Sequence, residues 1–524
     1  MEAIWIAAAF ILGLGFRELG LPPLVGYLVA GFALNGFGLQ GGDTLEHLAH
    51  IGVLLLLFAV GLKLKLKTVL AREVWGTALL HMLITAGLLG LAIRLLVGLP
   101  WASALLLGCA LGFSSTVVAA KVLEQKRELR AFHGRIAIGI LIFQDLIAVA
   151  LLSLVSGDTP SPWVLVLLGL PLLRPLLYWL LDFAGHDELL VLLGLVLALD
   201  LGGMGFEHLG LSSELGALIL GALLANHHRA SELSHALWGL KEVFLVGFFL
   251  QIGMFGLPTL GDLGFALLLA FLLPLKAVLF FLMLTRFKLR ARTAFLTGLS
   301  LASYSEFALI VASLASQTGW LSHEWVVLLA VTVAVSFAIA APLNRVAHGL
   351  YGRWEPRLSP FELHERHPDE QPLALGSANI LIMGMGRVGT GAYDFLTHRH
   401  QRVVGLDSDP DRVGRHLHEG RRVLYADSED PFFWQHLKVD KLHMIMLAMP
   451  DPEAKQIAIT QLRQRGYRGL ICATIMFDEE ASVIRAAGSD VVFNHYTEAG
   501  VGFAERAWEA MHPEQEPVEA AVSN

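Results

Sequence analysis

The sequence predicts a polytopic α-helical membrane domain followed by a smaller α/β domain on the cytoplasmic side. Three observations carry this expectation. Of 524 residues, 55% are apolar before 52 glycines are counted, and only 16% are charged; soluble domains stay near half apolar with glycine included. The apolar excess is confined to residues 1–347, in runs long enough for a helix to cross ~30 Å of hydrocarbon. From residue 378 onward, short apolar strands alternate instead with amphipathic helices, the pattern of a parallel sheet covered on both faces. This composition excludes a disordered chain and an ordinary soluble enzyme. A net charge of −8 offers no electrostatic footprint for nucleic acid. Cys109 and Cys472 stand alone, so neither a disulfide framework nor a thiolate metal site is expected.

The first domain, 1–347, divides into thirteen apolar runs: 2–17, 22–36, 48–62, 75–98, 101–124, 134–156, 163–184, 187–204, 212–226, 237–256, 263–286, 292–317 and 324–346. Backbone polar groups in lipid must be satisfied within the segment, so each run should be helical. The first reads as a span rather than a cleaved signal. Alternate connections carry the basic residues: Arg17; Lys63, Lys65, Lys67 and Arg72; Lys121, Lys126, Arg127, Arg130 and Arg135; Arg229; Arg286, Lys288, Arg290 and Arg292; and Arg345 after the last run. The intervening connections (37–47, 99–100, 157–162, 205–211, 257–262 and 318–323) contain no Lys or Arg. Basic loops face the cytoplasm, which puts the N-terminus outside and the C-terminus inside.

Ionisable residues inside spans are expensive and mark function. Asp145, preceded by Gln144, lies near the middle of the sixth run. A carboxylate there must pair, bind a cation or hold a proton. A single site that holds either H⁺ or a dehydrated alkali cation is sufficient for exchange, one charge for another. The fifth run holds Gly112, Phe113, Ser114, Ser115 and Thr116, and the twelfth holds Ser300, Ser303, Tyr304, Ser305 and Glu306. Hydroxyls and glycine at mid-membrane depth predict helix breaks, whose carbonyls and hydroxyls are ligands for Na⁺ or K⁺. Two broken spans in corresponding halves predict an inverted repeat with crossover helices. Lys276, inside the eleventh run, either neutralises the half-helix C-termini at that crossing or pairs with Glu306. Arg94 and Arg174 read as snorkelling or structural, and Asp200 and His81 as weak candidates.

Residues 348–376 carry four prolines and predict a linker; His364 and His367 within it read as solvated. In 377–512, strands are expected at 379–383, 402–406, 422–425, 442–447, 469–473 and 490–493, with a last helix near 497–511; 513–524 reads as a disordered tail. Gly384-Met385-Gly386-Arg387-Val388-Gly389 follows the first strand and opens a helix, and Asp407 ends the second strand. That is a Rossmann-like phosphate-binding turn with a ribose-binding acid, which favours an adenosine nucleotide or NAD over NADP. Ser408 joins that site, and Asp427, ending the third strand, is placed to face adenine. Asp409 and Asp411 read as first-turn helix acids.

Gly112–Thr116, Phe143-Gln144-Asp145, Ser305-Glu306-Phe307-Ala308, Val25–Gly31 and Phe249–Met254 together resemble the Kef-type members of the monovalent cation:proton antiporter-2 family, and the tail resembles their RCK nucleotide-binding domain. The resemblance implies a homodimeric, lipid-embedded, inner-membrane K⁺/H⁺ antiporter of elevator type. It also implies an ion on Asp145 and an RCK domain that binds AMP or NAD(H). An ancillary protein subunit is left open. Ala302-Ser303-Tyr304-Ser305 stands where Kef proteins typically have Gln-Gly-Gly, so the cation stays K⁺ or Na⁺. Ala473–Met476 lacks the arginines of glutathione-gated members, so glutathione gating is not expected. Two other readings remain: a nucleotide-gated K⁺ channel, for which Val25-Gly26-Tyr27 is only part of a filter and no pore loop surrounds it, and a membrane-bound NAD-dependent oxidoreductase, for which no hydride-acceptor site is visible.

Overall fold

The computed structural model describes residues 2–39, 41–62, 69–126, 128–129, 131–156, 172–208, 211–363, 365, 367, 375–426, 433–434, 437 and 439–512. Lys63, Lys65, Lys67, Arg127, Arg130, the 157–162 connection, His364, Asp427 and the expected tail lie outside the described residues. The chain forms two compact units, Met1–His367 and Pro368–Asn524.

In the first unit, helix occupies part or all of each of the thirteen apolar runs. The elements are α1 (Glu2–Glu18), α2 (Pro23–Gly36), α3 (Asp43–Leu62), α4 (Arg72–Val97), α5 (Trp101–Gly112), α6 (Thr116–Gln125), α7 (Phe132–Ser156), α8 (Arg174–Phe183) and α9 (Glu188–Leu195). After α9 come α10 (Ser213–Leu224), α11 (Ala230–Ala236), α12 (Trp238–Met254), α13 (Leu260–Ala270), α14 (Leu273–Arg286), α15 (Ala291–Ser300), α16 (Glu306–Gln317), α17 (His323–Arg345) and α18 (Ala347–Leu358). Among the described residues, seven helical stretches are long and apolar enough to cross a membrane. Lipid tails provide no hydrophobic drive between helices, so close packing has to. Gly31 of α2 therefore meets Gly253 of α12, where a Cβ on either would come within 2.4 Å of a carbonyl oxygen of the other helix.

Two runs are broken as expected. Between α5 and α6, Phe113 is extended (φ −65°, ψ 148°). Between α15 and α16, Ser305 is extended, and its side chain caps α16 by accepting from Phe307 N–H. Two departures have local causes. The eighth run leaves α-geometry over Val196–Met204, a π-helical stretch containing the Gly202–Gly203 pair, where the backbone approaches α10 closely. The eleventh run is interrupted between α13 and α14 by Pro274, which lacks an N–H for the preceding turn.

The segment expected as linker is structured in its first part. Helix α18 buries Ala347 and Tyr351, Glu362 accepts from Ala291 N–H at 2.9 Å, and His367 N–H donates to Lys288 O at 3.0 Å. The boundary between units falls at 367/368. Prolines alone do not make a linker when Tyr351 packs into the helical core and hydrogen bonds from Ala291 and to Lys288 tie the segment down.

Among the described residues, the second unit holds one six-stranded sheet in the order β3-β2-β1-β4-β5-β6, all parallel. The strands are β1 (Ile380–Met383), β2 (Val403–Asp407), β3 (Val423–Tyr425), β4 (Met444–Leu447), β5 (Leu470–Ile475) and β6 (Val491–Asn494). They alternate with α19 (Arg387–His398), α20 (Pro410–His418), α21 (Pro452–Gln464), α22 (Glu479–Ala486) and α23 (His495–Met511). This is the doubly wound order, with its switch point where β1 adjoins both β2 and β4.

Candidate functional site

The helix breaks bring most of the polar residues singled out in the membrane unit to one place. Ser114 N–H, left without a helical partner, donates to Gln144 Oε1 at 2.9 Å, and Gln144 Nε2 donates to Gly112 O at 3.4 Å. Ser115 N–H donates to Ser303 Oγ at 3.3 Å and Ser115 Oγ to Glu306 Oε2 at 2.8 Å, which ties the two breaks together. Thr116 Oγ1 donates to both oxygens of Asp145, at 3.4 and 3.3 Å. Asp145 is 2% exposed. Among the described residues, Thr116 is its hydrogen-bond partner, and no basic group lies within ion-pair distance of it. Ser114 Oγ and Glu306 Oε1 are buried without a partner, so the crossing keeps oxygen ligands in reserve. Ser305 serves as the cap of α16.

Lys276 lies in α14 with its ammonium among backbone carbonyls: Phe113 O at 2.6 Å, Ser303 O at 2.9 Å and Leu111 O at 3.5 Å. These carbonyls belong to the C-terminal ends of α5 and α15, where helix dipoles and unmatched acceptors call for a cation. Of the two roles expected for Lys276, the geometry matches this one; no Lys276–Glu306 contact occurs among the described residues. His81 is fully buried and stacks on Phe280 at 3.8 Å. Lys241, which sequence reasoning missed, is buried on α12 and pairs with Glu242 at 3.0 Å.

In the second unit, the glycine turn sits at the switch point. Gly384 has φ +94°, and a Cβ on Gly389 would fall 1.9 Å from Gly384 O, so internal geometry requires both. Gly386 differs. Its φ of −74° suits any residue, and a Cβ there would meet nothing within 4 Å. Its lack of a side chain leaves room for an outside group at the N-terminus of α19, where Arg387 and Val388 begin the helix. Asp407 ends β2 and accepts from Met385 N–H and Asp409 N–H, each at 2.8 Å. Below the turn, His416 bonds to Met385 O at 2.9 Å, and Arg421 pairs with Asp394. That pairing holds the Asp394 carboxyl below its usual range.

A third cluster had no sequence signal. Glu128, between α6 and α7, accepts from His133 Nε2 at 3.1 Å and from His348 Nε2 of α18. Arg292 donates to His348 Nδ1 at 3.0 Å. Burial pushes the Glu128 carboxyl upward, but the hydrogen bonds and charge of the two histidines outweigh it and hold the carboxyl well below the usual range. His367 stacks on Phe132 at 5.0 Å and lies 3.6 Å from Glu73. Asp182, His227 and His228 gather within metal-ligating distance of one another. Arg229 N–H points at His227 Nδ1, which puts the ring proton on Nε2 towards Asp182 at 3.3 Å, so hydrogen bonding accounts for the group.

Comparison with known proteins matches residues 6–345 to the transmembrane sodium/hydrogen exchanger family and residues 380–495 to the TrkA-N domain. The glutathione-regulated potassium-efflux system protein KefC of Salmonella schwarzengrund is 30% identical over 476 residues, covering 85% of this chain and 74% of its own. KefC of Salmonella typhi matches to the same extent. The TrkA-N domain of the inner membrane protein ybaL from Escherichia coli aligns over 25% of this chain and 97% of its own, at 19% identity and a TM-score of 0.24.

Proposed function

The chain belongs to the sodium/hydrogen exchanger family, in the Kef-type branch that carries a TrkA-N domain, and from that premise we propose that it exchanges K⁺ for H⁺ across a bacterial inner membrane under the control of a nucleotide. Its relatives are transporters, not enzymes. The observation that carries the reading is Asp145: a buried carboxylate beside a broken helix, with a hydroxyl for a partner and no counter-charge at hand among the described residues. Such a group is stable in lipid only when it holds a proton or a cation. The two states exclude each other, and the bare carboxylate is the species least able to cross.

The neighbouring residues give that acid its setting. Gln144 fixes the first break, Ser115 and Ser303 lock the first break to the second, and Lys276 neutralises both half-helix ends. The crossing then travels as one rigid piece, as elevator-type alternating access requires. Thr116, Ser114, Ser305 and Glu306 supply the remaining oxygens, and one carboxylate gives one-for-one, electroneutral exchange. K⁺ is preferred because the KefC relatives are potassium-efflux proteins; Na⁺ is the competitor. With the N-terminus outside and the second unit in the cytoplasm, AMP or NAD(H) binds at Gly384, Gly386, Arg387, Val388 and Gly389 with its ribose towards Asp407 and Ser408, and the protein works as a homodimer.

The test is transport by purified protein in proteoliposomes with an acidic interior. Adding K⁺ outside should collapse the pH gradient without net current, Rb⁺ and Na⁺ should rank below it, and AMP or NADH should change the rate. Absence of cation-dependent proton movement, or unitary currents in a planar bilayer, would overturn the proposal.

A further inference from the structure

The ribose-binding acid of the second unit is already fully engaged by its own chain. Asp407 accepts from two backbone N–H groups, Met385 on Oδ2 and Asp409 on Oδ1. The Arg412 guanidinium completes the set, 2.9 Å from Oδ2 and 3.2 Å from Oδ1. A carboxylate offers about four lone-pair sites, so a ribose diol finds none open. The backbone donors belong to the glycine turn and to the entry into α20, and they cannot leave without undoing both. Arg412 can leave. Its side chain is 34% exposed, it rises from the first turn of α20, and Asp409 accepts from its backbone N–H at 3.3 Å and lies 3.7 Å from its guanidinium.

We propose that Arg412 is the specificity-determining residue of the nucleotide site. It competes with the ribose hydroxyls for Asp407, and it stands ready to receive a 2′-phosphate. The inference rests on the reading of the glycine turn as a nucleotide site and deepens it. A lone acid at the end of β2 accepts ribose hydroxyls and repels a 2′-phosphate. An acid paired with an arginine is locally neutral, and a guanidinium binds phosphate oxygens in bidentate fashion. The pair therefore weakens the discrimination that Asp407 alone would impose, so the site takes adenosine dinucleotides with either a 2′-hydroxyl or a 2′-phosphate.

Titration calorimetry on the full-length protein in detergent, with NADH and NADPH as probes, tests this. The wild-type chain should bind both with affinities within about tenfold of each other. Arg412→Ala should bind NADH more tightly, because the competitor is gone, and NADPH at least about tenfold more weakly, because a charge-assisted contact is lost. Arg412→Lys, which keeps the charge without the fork, should fall between. Arg412→Gln serves the same purpose if the alanine variant fails to fold. If both probes bind the wild type and their affinity ratio is unchanged in the variants, the role of Arg412 is wrong while the nucleotide reading stands. If neither binds the wild type, the nucleotide reading fails and takes this inference with it.

Discussion

Lys276 shows what a single buried charge does at the crossing of two broken helices. Its ammonium donates to three carbonyls at those helix ends. Lys276→Met removes their charged donor at a buried position, so it should destabilise the membrane unit by about 2–4 kcal/mol. That is measured as a fall in the unfolding midpoint in detergent, and an unchanged midpoint would mean the carbonyls do not depend on the lysine. The glycine turn separates structure from binding in the same way. Gly389→Ala puts a methyl group into Gly384 O and should destabilise the second unit by about 1–3 kcal/mol. Gly386→Ala meets open space, so its melting should match the wild type while AMP and NADH binding falls by about tenfold or more. Asp145, Glu306 and Lys276 were legible in the sequence because a charge inside an apolar run needs no neighbour to be noticed. The Asp407–Arg412 pair was not, because the acid's spacing from the glycines says nothing about a side chain one turn further on that folds back over it.

At the scale of elements, the breaks were legible from their hydroxyl and glycine runs, and the six strands from their short apolar bursts. Helix α18 was not: four prolines within 348–376 concealed a segment that buries Tyr351 and binds Glu128 through His348. The Glu128 tie joins the connection between α6 and α7 to α18, so the loop leading into the Asp145 helix is anchored to the last helix of its unit. Because the folded carboxyl titrates below its unfolded value, the tie is complete above the ordinary glutamate pKa of ~4.3 and is lost only as the pH falls through the depressed folded value. Glu128→Gln should therefore lower stability at neutral pH by about 1–3 kcal/mol, with the gap to wild type persisting down to about pH 4 and closing below it. No gap at neutral pH would mean that the tie contributes nothing to stability.

The whole molecule is two units with separate cores. The composition step near residue 348 marks the end of the apolar runs, and the division between the units, at 367/368, falls inside the 348–376 segment expected as linker, because hydropathy marks where lipid ends and not where packing ends. If the second unit only regulates, a chain ended at His367 should still exchange cation for proton in proteoliposomes while losing its response to AMP or NADH; complete loss of exchange would make the second unit part of the transport machinery. The claim beneath all of this is that one carboxylate carries both substrates. Cation-driven proton flux through Asp145→Asn in proteoliposomes, alongside wild type reconstituted at equal density, tests it most directly. Flux should fall to that of empty vesicles while the variant keeps its folded elution profile, and flux at the wild-type rate would mean that Asp145 is not the carrier.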